Sequence, residues 1–176
     1  MNSVAKPSGA AIYERARRLA NVAIWSVELQ CRRLRAAEPG DADFVLRKWA
    51  DFDFLVVALT RLRRAARLAA QVPELESSML AAIEEFDSTL PGLKRFRNVA
   101  EHIDDYALDR GREQSLCRRS LEVSSFDAEG PTLHWLGFSL NGRQALQASE
   151  HLFAAIQDGI ASGSELDNVD KADTDH

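Results

Sequence analysis

Asp51-Phe52-Asp53-Phe54-Leu55-Val56-Val57-Ala58-Leu59-Thr60 is the stretch on which the fold of this chain turns. Taken alone, its aromatic and β-branched residues read as a buried strand. Its surroundings decide for a helix. Val45, Trp49, Phe52, Val56, Leu59, Leu62, Ala66 and Ala69 keep helical spacing across Ala42 to Gln71, with no Gly or Pro between them. Upstream, Ile12, Ala16, Leu19, Ala23 and Val27 predict a helix from Ala10 to about Ala36, which Glu38-Pro39-Gly40-Asp41 stops while supplying a cap for the next element. At ~1.5 Å per residue each of these two helices runs about 40 Å, long enough for an antiparallel pair.

Downstream, Val72-Pro73 closes the second helix and opens a third, with Glu74 and Glu76 suited to its N-terminus and Phe86 near its end. Pro91 opens a fourth helix that ends near Arg110-Gly111. Leu121 to Phe126, a turn at Asp127 to Pro131 and Thr132 to Leu140 read as a β-hairpin. In it Leu136, Phe138 and Leu140 face one side, and Leu133 and Trp135 the other. Asn141 caps a fifth helix on Ala145, Ala148, Leu152, Phe153, Ile156 and Ile160. The expected class is mainly α: an antiparallel up-and-down helical bundle of four helices over residues 10–111, with a C-terminal β-hairpin at 121–140 and a fifth helix at 142–161. Residues 1–161 form a single helical domain in this reading, and 162–176 an acidic disordered tail. No internal repeat is visible.

Apolar residues make up 45% and charged residues 28% of the 176-residue chain, the balance of a soluble globular domain rather than of a disordered or membrane chain. The longest unbroken apolar run, Phe54 to Leu59, is far short of a bilayer span. Met1 to Ala11 has neither a basic n-region nor an apolar core, so no secretory signal and no membrane partner are expected, and the expected location is cytoplasmic. Cys31 and Cys117 lie far apart in no metal-like spacing and are expected as reduced thiols.

The net charge of −5 divides unevenly. Glu165, Asp167, Asp170, Asp173 and Asp175 against Lys171 give the tail −4, which leaves 21 basic and 22 acidic residues in the body. The body's cations cluster as Arg15, Arg17 and Arg18, as Arg32, Arg33 and Arg35, and as Arg61, Arg63, Arg64 and Arg67. Such clusters are either solvated helix faces or a basic face for RNA or phosphate.

The densest chemistry lies in the fourth helix, in Arg97-Asn98-Val99-Ala100-Glu101-His102-Ile103-Asp104-Asp105-Tyr106. At ~100° per residue Leu93, Phe96, Ala100, Ile103 and Ala107 form an apolar face. Arg97, Glu101 and Asp104 make a second row, and Asn98, His102 and Asp105 a third. Each row can satisfy itself, Arg97 with Glu101 as an ion pair and His102 with Asp105 as a hydrogen bond. Read so, the stretch is a charged helix flank.

The same residues resemble the motif of the HEPN superfamily, helical-bundle proteins many of which are metal-independent endoribonucleases. That motif is an Arg, four to six residues, then a His, often with Asn, Asp or His directly after the Arg. Arg97-Asn98-Val99-Ala100-Glu101-His102 has this form. The resemblance implies that His102 acts as acid or base on the ribose 2′-OH and the leaving oxygen. It implies that Arg97 stabilises the phosphorane charge and that Asn98 orients its neighbours; Glu101, Asp105 and Tyr106 of the same stretch are candidate binding residues, although the acids Glu101, Asp104 and Asp105 depart from the pattern and would repel a phosphate unless paired. It covers at most the first 111 residues, and it implies a homodimer in which two copies of the helix face one groove, with no cofactor. The chemistry suits the residue types, since an ordinary His titrates near neutrality and an Arg grips phosphate bidentately.

Two other readings stay open. His102 with Asp105, or Glu101 with Asp105, could hold a metal with help from His134 or His151. Helical carboxylate–His sites need Glu-x-x-His pairs on several helices; only one partial copy is present, so no metal is expected. Trp25, Trp49 and Trp135, with Leu136 and Phe138 on the hairpin, could instead serve a protein partner. Gly-rich phosphate loops, a Gly-x-Ser-x-Gly elbow and βαβ alternation are all missing. The expected function, as the HEPN resemblance implies, is binding or cleavage of RNA, of a toxin or defence type. The alternative is a non-enzymatic dimeric scaffold or regulatory interaction module.

Overall fold

The computed structural model describes residues 6–36, 43–122, 124–127 and 131–163. In it the run 51–60 is helical, inside α2 (Asp43–Ala69). Phe52, Leu55, Val56, Leu59, Leu62, Ala66 and Ala69 are buried, while Phe54 and Val57 face solvent. A strand would have buried alternate residues; the 3.6-residue period won because it persists over the whole helix. α1 (Gly9–Arg35) is capped by Ser8, whose hydroxyl accepts from the Ala11 N–H at 3.2 Å, and Arg32, Arg33 and Arg35 sit in its last turn, where cations suit the helix dipole. Arg33 and Arg47 both bond the carboxylate of Asp51, itself buried, at 2.7 and 3.2 Å. That cluster ties the end of α1 to the start of α2. The expected Glu38–Asp41 cap lies outside the described residues, as do residues 128–130 of the expected hairpin turn and the acidic tail from residue 164.

A 3-10 turn at Pro73–Leu75 leads into α3 (Glu76–Thr89). α6 (Gly142–Gly163) packs against α1, α2 and α3. It runs antiparallel to α1, since the Tyr13 hydroxyl donates to the Ile156 carbonyl at 2.7 Å while Cys31 Sγ lies 3.3 Å from the Gly142 carbonyl. Burial pushes the Cys31 thiol up to about 11, and a hydrogen bond with Ser120 holds the exposed Cys117 below its ordinary value; both cysteines are free. The chain is thus mainly helical with one small antiparallel sheet. No helix among the described residues is long and apolar enough to cross a membrane.

Two elements differ from expectation. The fourth helix is not continuous: α4 (Leu93–Glu101) ends at His102, whose backbone (φ −125°, ψ 35°) leaves the helix, and α5 (Ile103–Ala107) begins anew. Charge explains the break. Asp104 and Asp105 would burden the negative end of a continuing helix, whereas the break places them in the first turn of α5, where the dipole favours them. The apolar face changes accordingly. Leu93, Phe96 and Val99 are buried on α4, Ile103 is exposed, and Tyr106 is buried.

The expected hairpin is a sheet of three strands in the order β1 (Ser124–Phe126), β2 (Thr132–Trp135), β3 (Phe138–Asn141). The second expected strand folds back at Leu136-Gly137, both with positive φ (51° and 80°), a two-residue turn of the mirror-image kind that hairpins prefer. Glycine meets that demand without cost; leucine does not, and Leu136 is held there by burial. The turn brings Leu133 opposite Leu140 and Trp135 opposite Phe138, so apolar residues expected on two faces share one. That face meets the helices through aromatic rings. Trp49 of α2 packs edge-on against Phe126 and Trp135 at 5.6 and 5.7 Å, and Phe96 of α4 stacks on Trp135 at 5.9 Å. The sheet thereby holds α4 to α2.

Candidate functional site

The α2–α4 contact leaves a cleft of about 430 Å³ on its polar side. Thr60, Arg63, Arg64 and Arg67 line it from α2, Asp87 from α3, Leu90 and Pro91 from the α3–α4 connection, and Leu93, Lys94 and Arg97 from α4. Sequence spacing supplies both walls. Arg63 and Arg67 are one turn apart on one helix, Lys94 and Arg97 one turn apart on the other. Five cations thus face one carboxylate.

That carboxylate is already engaged. Arg63 grips Asp87 with two parallel bonds, Nε to Oδ1 at 2.6 Å and Nη2 to Oδ2 at 2.5 Å, and the carboxylate raises the Arg63 pKa further. Arg97 pairs through Nη2 with Glu101, the ion pair expected from their spacing. Its Nε–H, however, is buried and has no acceptor among the described residues. A buried, unpaired donor on a guanidinium is costly, and it is the kind of group that an incoming anion satisfies. Arg64, Arg67 and Lys94 make no ion pair among the described residues.

The other site candidates scatter. Asn98 points back to Tyr106, donating from Nδ2 to the phenolic oxygen at 3.1 Å. In an unbroken helix eight residues would separate them by about 12 Å along the axis, so the break at His102 makes this bond possible. Tyr106 is buried at 1% exposure, and its oxygen also accepts from the Glu113 N–H at 3.4 Å. It is a structural residue holding down the segment after α5. Gly111 lies flat on its ring, where a Cβ would overlap Cδ1 and Cε1. His102 and Asp105 are both exposed, and the expected hydrogen bond between their side chains is not formed. His102 does not line the cleft. Of the expected site residues, the structure brings Arg97 to Glu101 and Asn98 to Tyr106, and leaves His102 and Asp105 apart from both pairs.

Three polar residues of the cleft had no role in the sequence reading: Thr60, Asp87 and Lys94. The Arg61–Arg67 cluster was visible, but nothing along the chain says that it faces Arg97, because that meeting is made by the sheet. Elsewhere, His134 Nε2 lies 2.8 Å from Asp127 Oδ1, and His151 Nδ1 lies 3.9 Å from Glu85. No three metal-ligating side chains converge among the described residues. Of the three tryptophans, Trp135 is buried and Trp49 packs against the core, whereas Trp25 is 66% exposed on α1 in a row with Leu19, Val22 and Leu29.

The comparisons with known proteins add no relative: no family model, curated protein or solved structure matches the chain. What class of protein this is must therefore come from the cleft.

Proposed function

We propose that this is an RNA-binding protein whose α2–α4 cleft takes the phosphates of an RNA backbone. The observation that carries the reading is the pair of cation rows that line the cleft, Arg63, Arg64 and Arg67 on α2 and Lys94 and Arg97 on α4, with the buried Arg97 Nε–H lacking an acceptor among the described residues. Arg97 is also the residue with which the likeness to RNA-cleaving helical proteins begins. Two rows of cations along two helices suit successive phosphates better than one small anion. The lining has no aromatic ring for bases to stack on, so recognition is of the backbone and tolerant of sequence. Binding is proposed rather than cleavage, because His102 stands outside the cleft.

Fluorescence anisotropy with a labelled single-stranded RNA tests this. Arg64, Arg67 and Lys94 make no ion pair among the described residues, while Arg63 and Arg97 already hold carboxylates. About three phosphates are then neutralised, and log K should fall with log salt at a slope near −2. No binding at low salt, or binding without salt dependence, overturns the proposal.

The exposed row on α1 favours a second and compatible reading, that two copies meet along this helix as a dimeric scaffold. A large aromatic with three aliphatics on one stripe is the composition of an interface centre rather than of a solvated surface. Sedimentation should then show a dimer that Trp25→Asp converts to monomer; a monomeric wild type at tens of micromolar contradicts it.

A further inference from the structure

Taking the cleft as an anion site, we infer that its intramolecular occupant is the chain's own acidic segment, residues 164–176. This rests on the reading of the cleft given above. The first argument is charge. Glu165, Asp167, Asp170, Asp173 and Asp175 carry the chain's excess negative charge, while the rest of the chain is close to neutral. Among the described residues, the α2–α4 cleft offers Arg64, Arg67 and Lys94 without ion pairs and Arg97 with a donor that has no acceptor. Carboxylates at two- and three-residue intervals present acceptor oxygens in a row, as an RNA backbone presents phosphates.

The second argument is reach. The last described turns of α6 lie against the α2–α3 connection, since a Cβ on Gly159 would meet Leu75 Cδ1 at 3.2 Å and Tyr13 Cε2 at 3.1 Å. Arg67 is only eight residues before Leu75, on the last turn of α2. Even fully extended, those eight residues span about 28 Å, whereas the thirteen residues from 164 to 176 can span ~43 Å. The acidic segment therefore follows a helix end that lies beside the α2–α3 connection, and its length exceeds the greatest span from Leu75 to Arg67. A tethered occupant competes at an effective concentration of order millimolar, so it weakens RNA binding without abolishing it and discriminates against short or weakly charged anions.

The test uses the full-length chain and a variant with the five acids neutralised (Glu165→Gln, Asp167→Asn, Asp170→Asn, Asp173→Asn, Asp175→Asn). RNA affinity of the variant should rise about three- to tenfold at low salt, with the difference vanishing at high salt. Separately and without RNA, a nitroxide on Ala172→Cys in a Cys117→Ser background should broaden the backbone amide signals of Arg67, Lys94 and Arg97, and 0.5 M salt should remove that broadening. Broadening confined to other regions, or none at low salt, overturns the inference. Equal RNA affinity of the two chains overturns it also, and leaves RNA binding itself standing. Broadening at the cleft in a protein that binds no RNA keeps the inference and removes the RNA reading.

Discussion

Replacing Gly111 with alanine should destabilise the protein by about 3 kcal/mol, a large effect for one added methyl. A Cβ at this position would overlap Cδ1 and Cε1 of Tyr106 and sit 2.7 Å from its Cγ. The ring cannot retreat. It is buried at 1% exposure, and its hydroxyl oxygen is held by Asn98 Nδ2 and the Glu113 N–H. A planar side chain fixed at both ends has no cheap rotamer to move into, so the segment from Asp109 to Glu113 must shift instead. That shift would strain the ion pair of Arg95 with Glu113 and the bond from the Arg118 N–H to Asp109 at 2.8 Å. Chemical denaturation reads the loss. The cause is checked by repeating Gly111→Ala in a Tyr106→Ala background, where the clash is gone and the added cost should fall below about 1 kcal/mol. Equal costs in both backgrounds would show that the ring is not what Gly111 accommodates.

The second large effect concerns the cleft. Arg67→Glu combined with Lys94→Glu should weaken RNA binding by at least ~100-fold, because two exposed cations on opposite walls become repulsive carboxylates. Both side chains are exposed, so folding should be little affected. The matched control is Arg15→Glu with Arg32→Glu on α1, which changes the net charge equally but away from the cleft. If affinity tracked net charge alone, the two double variants would bind alike. The proposal requires the cleft variant to lose much more.

Much of this architecture was legible in the chain, and the parts that were not have physical causes. The long period through Val45 to Ala69 outweighed a strand-like run at 51–60 because helical burial repeats over many turns. The break at His102 was hidden, since Arg97 to Tyr106 keeps helical spacing and contains no Gly or Pro. The break places Asp104 and Asp105 in a first turn, where the dipole favours them, and seats Tyr106 on Asn98. The second hairpin turn was hidden because Leu136 occupies a positive-φ position normally taken by Asn, Asp or Gly. Arg97 with Glu101 was readable as an ion pair, since both lie on one helix. The cleft was not. Arg63, Arg64 and Arg67 meet Lys94 and Arg97 only through packing of α2, α4 and the sheet, which no spacing within a helix encodes.

Chemical-shift mapping tests the central claim most directly. A titration of ¹⁵N-labelled protein with a short single-stranded RNA at low salt should move the amide signals of residues 60–67, 87 and 90–97, together with the Arg97 Nε–H signal. It should leave those around His134 and His151 and the exposed row of α1 in place. Perturbations centred on any of those other surfaces, or none at saturating RNA, would contradict the assignment of the cleft as the RNA site.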